Sequence, residues 1–140
     1  MSHEPKISLC MIVRDEEDFL ADCLSSVRDV VDEIIVVDTG STDSTPRVAA
    51  GLGARVFSFD WTDDFSEARN HSLERASGDW ILVLDADETI ASRDRDKIRA
   101  LARNGADGYL VTYRAYSRES SDFRWVVNDG SYSEDRKSVV

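Results

Sequence analysis

Residues 80–88, Trp-Ile-Leu-Val-Leu-Asp-Ala-Asp-Glu, place five apolar residues directly before three carboxylates. Such an uninterrupted apolar run predicts a strand buried on both faces, as in the centre of a parallel sheet. Open α/β sheets bind ligands where their strands end, and Asp85, Ala86 and Asp87 fall at such an end. Two aspartates around a small residue suit a hard divalent cation such as Mg²⁺ or Mn²⁺. Because Asp-x-Asp is a common string, spacing alone leaves a solvated acidic turn as an equal alternative.

Three further apolar runs alternate with helical patterns, and 140 residues suit one domain. We predict strands over 7–13, 33–38, 54–59 and 80–84, and helices over 16–27, 45–52, 65–76 and 93–103. The order predicts a doubly wound α/β sheet, mostly parallel, with helices on both faces. Residues 107–116 and 123–127 alternate as an antiparallel strand pair would.

Helical spacing also predicts which side chains face the core. The expected inward residues are Phe19, Leu20, Cys23, Leu24 and Val27 of the first helix, Phe65, Ala68, Leu73 and Ala76 of the third, and Ile98 and Leu101 of the fourth. Asp15 is predicted as the N-cap of the first helix. Cys10 and Cys23 have no metal or redox spacing and are expected to be buried, reduced thiols.

The composition argues against nucleic acid as a partner and against a membrane-spanning segment. A net charge of −11 argues against binding to a nucleic-acid backbone. No run approaches the roughly 20 apolar residues of a membrane span, and residues 1–6 lack a secretion signal. We therefore expect a cytoplasmic protein, with attachment to the inner face of the membrane left open.

Acidic and turn-forming residues follow three of the predicted strands. Asp15 follows the first strand, Asp38 ends the second before the turn 40–42 (Gly-Ser-Thr), and Asp85 ends the fourth. Parallel strands bring these ends to one edge, where carboxylates could meet a base, a ribose or a metal, and N–H groups a phosphate. No Walker loop or Gly-x-Gly-x-x-Gly is present. Taken alone, Asp38 is better explained as an N-cap or turn residue, Arg69 could be a surface residue, and His71 is expected to be a lone exposed histidine.

Four stretches in order resemble family 2 glycosyltransferases: 7–17 (ISLCMIVRDEE), 36–45 (VVDTGSTDST), 65–70 (FSEARN) and 78–88 (GDWILVLDADE). The resemblance is to the branch with lipopolysaccharide-core glucosyltransferases and tetratricopeptide-associated peptide glycosyltransferases. It implies a GT-A fold, a Rossmann-like sheet that binds a nucleotide-diphosphate sugar for inverting transfer.

The resemblance also implies roles for single residues. Val13 and Asp15 would lie near the nucleotide, and Arg69 would approach it. Asp38 would bind the base, which is usually uracil, and Asp85 would face the ribose beside Ala86. Asp87, with Asp85, would bind the metal of the DXD motif. The expected cofactor is Mn²⁺ or Mg²⁺ and the favoured donor a UDP-sugar. The acceptor stays open between a glycan, a lipid-linked glycan and a peptide.

Two features depart from that pattern. No histidine follows His71 to complete a metal site, and Glu134 and Asp135 are the weak candidates for the catalytic base. We therefore expect a truncated N-terminal part, with core motifs over 1–90 and an incomplete acceptor half over 91–140. A strand beginning near the last residues could pair with a second copy, so a homodimer is a hypothesis. A non-catalytic nucleotide-sugar-binding or assembly domain is the alternative function, and a nucleotidyltransferase has less support.

Overall fold

The computed structural model describes residues 4–103, 114–117 and 124–127. Its elements are β1 (Ile7–Val13), α1 (Glu17–Val27), β2 (Glu33–Asp38), α2 (Thr45–Gly51), β3 (Arg55–Ser58), α3 (Phe65–Arg75), β4 (Trp80–Val83), a 3₁₀ turn (Ser92–Asp94), α4 (Arg95–Ala102), β5 (Arg114–Ser117) and β6 (Arg124–Val127). The predicted alternation of strands and helices is confirmed.

The first four strands form one parallel sheet in the order β3-β2-β1-β4. Successive strands step outward from β1 to β3, and β4 then returns to the other side of β1. This reversal leaves a crevice at the carboxyl ends of β1 and β4, where ligands bind in open α/β sheets. Val13 lies opposite Asp38 in the register, so the ends of β1 and β2 meet at that edge.

The core lies around β1 and β2, whose residues are almost all buried. Leu20, Cys23, Leu24 and Val27 of α1 pack against one face of this sheet, as predicted. Each fully buried aliphatic side chain contributes about 1.5–3 kcal/mol. Cys10 and Cys23 are buried free thiols, and burial raises the pKa of Cys10 to about 11 and that of Cys23 to about 12.

The predicted strand over residues 80–84 is present as β4 (Trp80–Val83) in the part of the chain that the structure describes. There β4 pairs with β1 alone, and of its four residues Leu82 is the one that is buried. Trp80 and Leu84 are partly buried against the core instead. An apolar run indicates that its side chains are shielded from water. Helices and loops can provide that shielding as well as neighbouring strands can.

Three large residues predicted to face inward are exposed: Phe19 (53%), Phe65 (69%) and Leu73 (37%). In α3 the buried residues are the small Ala68 and Ser72. Small residues let the helix approach the sheet closely, and this leaves the large apolar side chains on its flanks. In α4, Ile98 is buried as predicted, whereas Ala102 is buried and Leu101 is partly exposed.

The predicted antiparallel pair is present as β5 and β6, with Arg114 opposite Val127. The remainder of the predicted strands, residues 107–113 and 123, lies outside the described residues. None of the helices in the described ranges is long and apolar enough to cross a bilayer.

A hydrogen-bond network fastens the start of β4 to β1 and β2 at the opposite edge of the sheet. The Ser8 hydroxyl donates to Glu33 Oε2 (2.6 Å) and accepts from Gly78 N–H (2.8 Å). Ser77 donates to the same Glu33 oxygen from its N–H (2.9 Å) and hydroxyl (3.1 Å). Burial opposes ionisation of Glu33, but these bonds outweigh it and the pKa of Glu33 is lowered. The network leaves no room at Gly78, where an added Cβ would lie 2.8 Å from Ser8 N and 2.9 Å from Lys6 O.

Gly78→Ala is therefore expected to lower the free energy of unfolding by about 1–3 kcal/mol, the usual cost of overpacking. The methyl group would press on backbone atoms, which cannot rotate away. Urea denaturation followed by circular dichroism would measure the loss.

Gly51→Ala is the matched control, because a Cβ at this α2 position meets nothing within 4 Å. We expect it to be neutral or to stabilise by up to about 1 kcal/mol, since alanine restricts the unfolded chain. Equal effects of the two substitutions would contradict the steric argument.

Candidate functional site

Two loops at the carboxyl ends of β1 and β2 hold each other through hydrogen bonds. They are the β1–α1 loop (14–16) and the β2–α2 turn (39–44). Thr42 N–H donates to Asp15 Oδ1 (2.7 Å), and Asp15 N–H donates to the Ser41 hydroxyl (2.9 Å). Glu16 N–H donates to Thr45 Oγ1 (2.8 Å), and Ser44 N–H to Glu17 Oε2 (2.9 Å). The two loops therefore form one unit at the edge of the sheet.

The prediction that Asp15 caps α1 is wrong. The N-cap is Glu16, and Asp15 has a φ of 51°, a left-handed conformation that aspartate tolerates better than most residues. Its carboxylate turns across to Thr42 instead. The first helical N–H, that of Glu17, donates to Asp43 Oδ2 (3.3 Å) from the neighbouring turn. Tertiary contacts replace the local cap.

Asp38 ends β2 with a side chain that is only 5% exposed. Its Oδ1 accepts from Gly40 N–H (3.0 Å) and Ser41 N–H (2.9 Å), which fixes the turn. Gly40 has a φ of 112°, a conformation that glycine adopts without strain. Asp38 Oδ2 is buried and has no hydrogen-bond partner among the described residues. Asp38 therefore acts as a turn residue through one oxygen and keeps the other available.

Asp85, Ala86, Asp87 and Glu88 form a tight turn after β4, which we call the acidic turn. Glu88 N–H donates to Asp85 O (3.0 Å), and Asp85 N–H donates to Glu88 Oε1 (2.7 Å). Ala86 is buried against the core and anchors the turn, whereas Asp85 and Asp87 are exposed on either side of it. The alternation leaves both carboxylates accessible to a ligand or cation.

Burial, together with the charges of the acidic turn, raises the pKa of two carboxyl groups at this edge. The pKa of Glu16 is raised by burial first and then by repulsion from Asp87, Asp85, Asp43 and Asp15. That of Glu88 is raised mainly by burial, with Asp85 and Asp87 adding to it. Carboxylate oxygens suit Mg²⁺ or Mn²⁺, so the donor chemistry of this turn fits such a cation. No group of three or more His, Cys, Asp or Glu placed to hold a metal occurs within the described ranges.

Two clefts lie on either side of Ile12 and Phe65. The larger cleft measures about 310 Å³ and is lined by Ile12, Val13, Arg14, Glu16, Thr39, Trp61 and Phe65. The smaller, about 100 Å³, lies between α3 and the ends of β1 and β4, and its lining includes Arg69 and Asp85. Both open at the edge where β1, β2 and β4 end.

The structure thus brings the sequence-predicted residues to one sheet edge in two groups. Val13, Asp15 and Asp38 meet where β1 and β2 end. Arg69 and Asp85 share the smaller cleft, with Ala86 and Asp87 following Asp85. Glu134 and Asp135 lie outside the described residues.

Sequence reasoning missed Glu16, Trp61 and Phe65 as lining residues of the larger cleft. The available signal was the placement of Trp61 among the acids of a surface loop, where an aromatic residue is unusual. His71 is partly buried rather than exposed, because its ring packs 5.2 Å from that of Phe59.

The model of the family "Glycosyl transferase family 2" matches residues 8–138. The chain therefore belongs to the family 2 glycosyltransferases, and its parallel sheet with flanking helices is the GT-A architecture.

Several relatives share part of the chain. A TPR repeat-containing protein of Synechococcus elongatus is 60% identical over 85 residues, which are 61% of this chain and 21% of that protein. An uncharacterized glycosyltransferase of Rickettsia typhi is 36% identical over 76% of this chain and 36% of its own length. The SPbeta prophage-derived glycosyltransferase SunS of Bacillus subtilis is 36% identical over 73% of this chain and 25% of its own. The chain thus spans between a fifth and about a third of these relatives.

Solved structures agree on the fold. Glucosyl-3-phosphoglycerate synthase of Mycobacterium tuberculosis, in complex with Mn²⁺, uridine diphosphate and glucosyl-3-phosphoglycerate, is 30% identical with a TM-score of 0.54. The match covers 61% of this chain and 36% of that one. S. aureus TarS has a TM-score of 0.64 at 23% identity, over 75% of this chain and 34% of its own, which supports the fold alone.

The raised pKa of Glu16 gives a prediction for stability. A raised carboxyl pKa means that the folded protein binds more protons than the unfolded one between the two pKa values, so stability falls as the pH rises through that window. Glu16→Gln removes this penalty. It should raise the midpoint of thermal unfolding at pH 7, and the gain should fade as the pH falls through that window toward the ordinary glutamate value of about 4.3.

Glu17→Gln changes the charge equally at the next position, but Glu17 Oε2 accepts a hydrogen bond from Ser44 N–H. This control should not stabilise the protein. If both variants gained equally, general charge reduction would explain the result instead of repulsion from the acidic turn.

Proposed function

We propose that this chain binds a nucleotide-diphosphate sugar, with a UDP-sugar favoured, for metal-dependent, inverting transfer to an acceptor. The nucleotide would lie along the sheet edge, with its diphosphate toward the acidic turn. Its base would lie in the larger cleft, which we therefore call the nucleotide-side cleft. Family membership and the relatives named above support the proposal. We also propose that the chain belongs to the branch with lipopolysaccharide-core and tetratricopeptide-associated enzymes. The 60% identity to a TPR repeat-containing protein supports that placement.

The observation that carries the proposal is the unpartnered Asp38 Oδ2. A buried polar atom without a partner costs about 1–3 kcal/mol. A ligand that donates a hydrogen bond there recovers this energy, and the N–H edge of a nucleobase is such a donor. Val13, opposite Asp38 in the register, and Thr39, which follows it, both line the nucleotide-side cleft. The base would therefore lie close to the available oxygen.

The other end of the site supplies charge and ribose contacts. In the proposed arrangement Asp85 faces the ribose beside Ala86, and Asp87, with Asp85, holds Mn²⁺ or Mg²⁺. When bound, the cation would neutralise charge on the departing diphosphate. Arg69 shares a cleft with Asp85, so its guanidinium is suited to approach the nucleotide's phosphates. Because four carboxylates already raise the pKa of Glu16, positive charge at this end also relieves their repulsion.

Asp15 would act through the β2–α2 turn. Its Oδ1 holds Thr42, and the same turn supplies the N–H groups that orient Asp38. Glu134 and Asp135 stay predictions for the catalytic base, and the division into core motifs over 1–90 and an acceptor half over 91–140 stays a prediction for the domain.

Calorimetry with UDP, UDP-glucose and GDP-mannose, each with and without Mn²⁺, tests the proposal. We expect binding of a uridine nucleotide that tightens when the metal is present. Failure of every nucleotide to bind in the presence of Mn²⁺ would refute donor binding. Turnover of the sugar nucleotide then separates an enzyme from a binding domain that has lost transfer.

Two substitutions should separate the contribution of the metal to nucleotide binding from that of the base. Asp87→Asn is expected to abolish the tightening by Mn²⁺, because it removes a charged ligand. Asp38→Asn should weaken uridine nucleotides about tenfold even without metal, the scale of one lost hydrogen bond to a charged acceptor. Asp96→Asn, an equal charge change at an exposed α4 position, is the control and should leave both measurements unchanged.

Substitutions at Asp15 test whether it works through the turn. Asp15→Asn keeps an oxygen for Thr42 and tolerates the left-handed backbone. Asp15→Gly keeps the backbone freedom but loses the oxygen. We expect Asn to retain the UDP affinity within about threefold and Gly to lose about tenfold, as for a lost charged hydrogen bond. Unchanged affinity in the glycine variant would rule out the positioning role.

A further inference from the structure

We propose that Trp61 is a stacking surface for the nucleobase in the nucleotide-side cleft. This inference rests on the proposed function, and it names how the base is held rather than which base is chosen. It arises from the loop between β3 and α3, residues 59–64, which the four motifs of the sequence do not include.

The loop fixes the Trp61 side chain in place. The indole Nε1–H donates to Asp63 Oδ1 (2.8 Å), and Asp63 itself has a left-handed φ of 60°. Asp64 caps α3 by accepting from Ser66 N–H (2.8 Å), and the Thr62 hydroxyl donates to Glu67 Oε2 (2.6 Å). Every residue from Thr62 to Asp64 thus makes a bond that holds the loop. The orientation of the indole is set before a ligand arrives, which reduces the entropy lost on binding.

The loop places two aromatic rings at the cleft. The rings of Trp61 and Phe65 lie 4.8 Å apart at 71°, an edge-to-face pair, and both line the cleft of about 310 Å³. Phe65 is 69% exposed although it sits on a helix that buries other residues. The two rings are adjacent and line one cleft, and exposed apolar patches of this kind are a feature of ligand-binding grooves.

The other side chains that line the cleft indicate what kind of ligand fits it. The other lining residues include Arg14, Glu16 and Thr39, so aromatic surface and polar groups face one space. Asp38, whose Oδ2 has no partner among the described residues, lies directly before Thr39. A flat ligand with an apolar face and hydrogen-bonding edges matches both features, and a nucleobase is such a ligand.

Stacking on the face of a base and hydrogen bonding to its edge predict different selectivity among nucleotides. Every base has a π-face, so a stacking residue contributes to uridine, cytidine and guanosine diphosphates alike. Asp38 would instead discriminate among the base edges. Loss of Trp61 should therefore weaken all three nucleotides without changing their order, whereas Asp38→Asn should change the order.

The test measures binding of UDP, UDP-glucose, CDP, GDP and pyrophosphate, with Mn²⁺ present, to the full chain and its variants by calorimetry. Trp61→Ala should weaken the three nucleotides about 5- to 150-fold, the loss expected for one base–aromatic stack, and leave pyrophosphate unaffected. Trp61→Phe keeps an aromatic face and should remain within about threefold of the unsubstituted chain. UDP should also quench tryptophan fluorescence in the unsubstituted chain and in Trp80→Phe, but not in Trp61→Phe.

Several outcomes would overturn the inference. Equal UDP affinity in Trp61→Ala would show that the indole does not contact the base. An equal loss for pyrophosphate would show that Trp61 only supports the fold. Weakening of UDP-glucose without weakening of UDP would place the sugar, not the base, on the ring. If the unsubstituted chain binds no nucleotide, the proposed function fails and this inference fails with it, whereas the first three results leave nucleotide binding intact.

If Trp61→Ala does not fold, as judged by thermal unfolding, Trp61→Phe and the fluorescence measurement still decide the question. Quenching by UDP that survives in Trp61→Phe would contradict stacking on Trp61.

Discussion

The parallel pairing of β1 with β2 and β4 is the constraint on which the site depends. Parallel strands in one sheet end at the same edge, so residues far apart in the chain meet there: Val13 lies opposite Asp38, and β4 delivers the acidic turn on the other side of β1. Ser8 lies opposite Glu33 in the register of β1 and β2 and donates a hydrogen bond to its carboxylate, so a one-residue slip would break this polar pair and leave the buried Ser8 hydroxyl without that partner. The site inherits its geometry from this register.

The acids at this edge serve structure and ligand chemistry together. Asp15 ties two loops, Asp38 Oδ1 builds a turn, and Glu88 closes the acidic turn. The carboxylates that remain exposed, Asp85 and Asp87, concentrate negative charge beside Glu16, whose pKa is raised by burial first and by their repulsion second. A site built this way favours a cation, and in the proposed function the divalent metal that accompanies the diphosphate would supply that positive charge.

The fold shared by the family supplies the scaffold of the site, whereas the loop after β3 supplies a side chain that lines a cleft. The sheet and its acid-ended strands belong to the shared GT-A architecture, and a fold alone does not decide which ligand is chosen. The Trp61–Phe65 pair lies on the nucleotide-side cleft, in a loop and at the first residue of α3. Loops carry binding residues on a rigid scaffold because they can vary without disturbing the core.

The sequence by itself determined the alternation of strands and helices, the burial of β1, β2 and one face of α1, and the family. These follow from hydrophobic period and turn chemistry, which are local properties. Only the tertiary structure decided that β4 pairs with β1 alone among the described strands, that Asp15 reaches Thr42 instead of capping α1, and that Phe65 lines a cleft instead of the core. A local pattern shows that a side chain avoids water or accepts a hydrogen bond. The partner comes from another part of the chain, and folding alone brings it within reach.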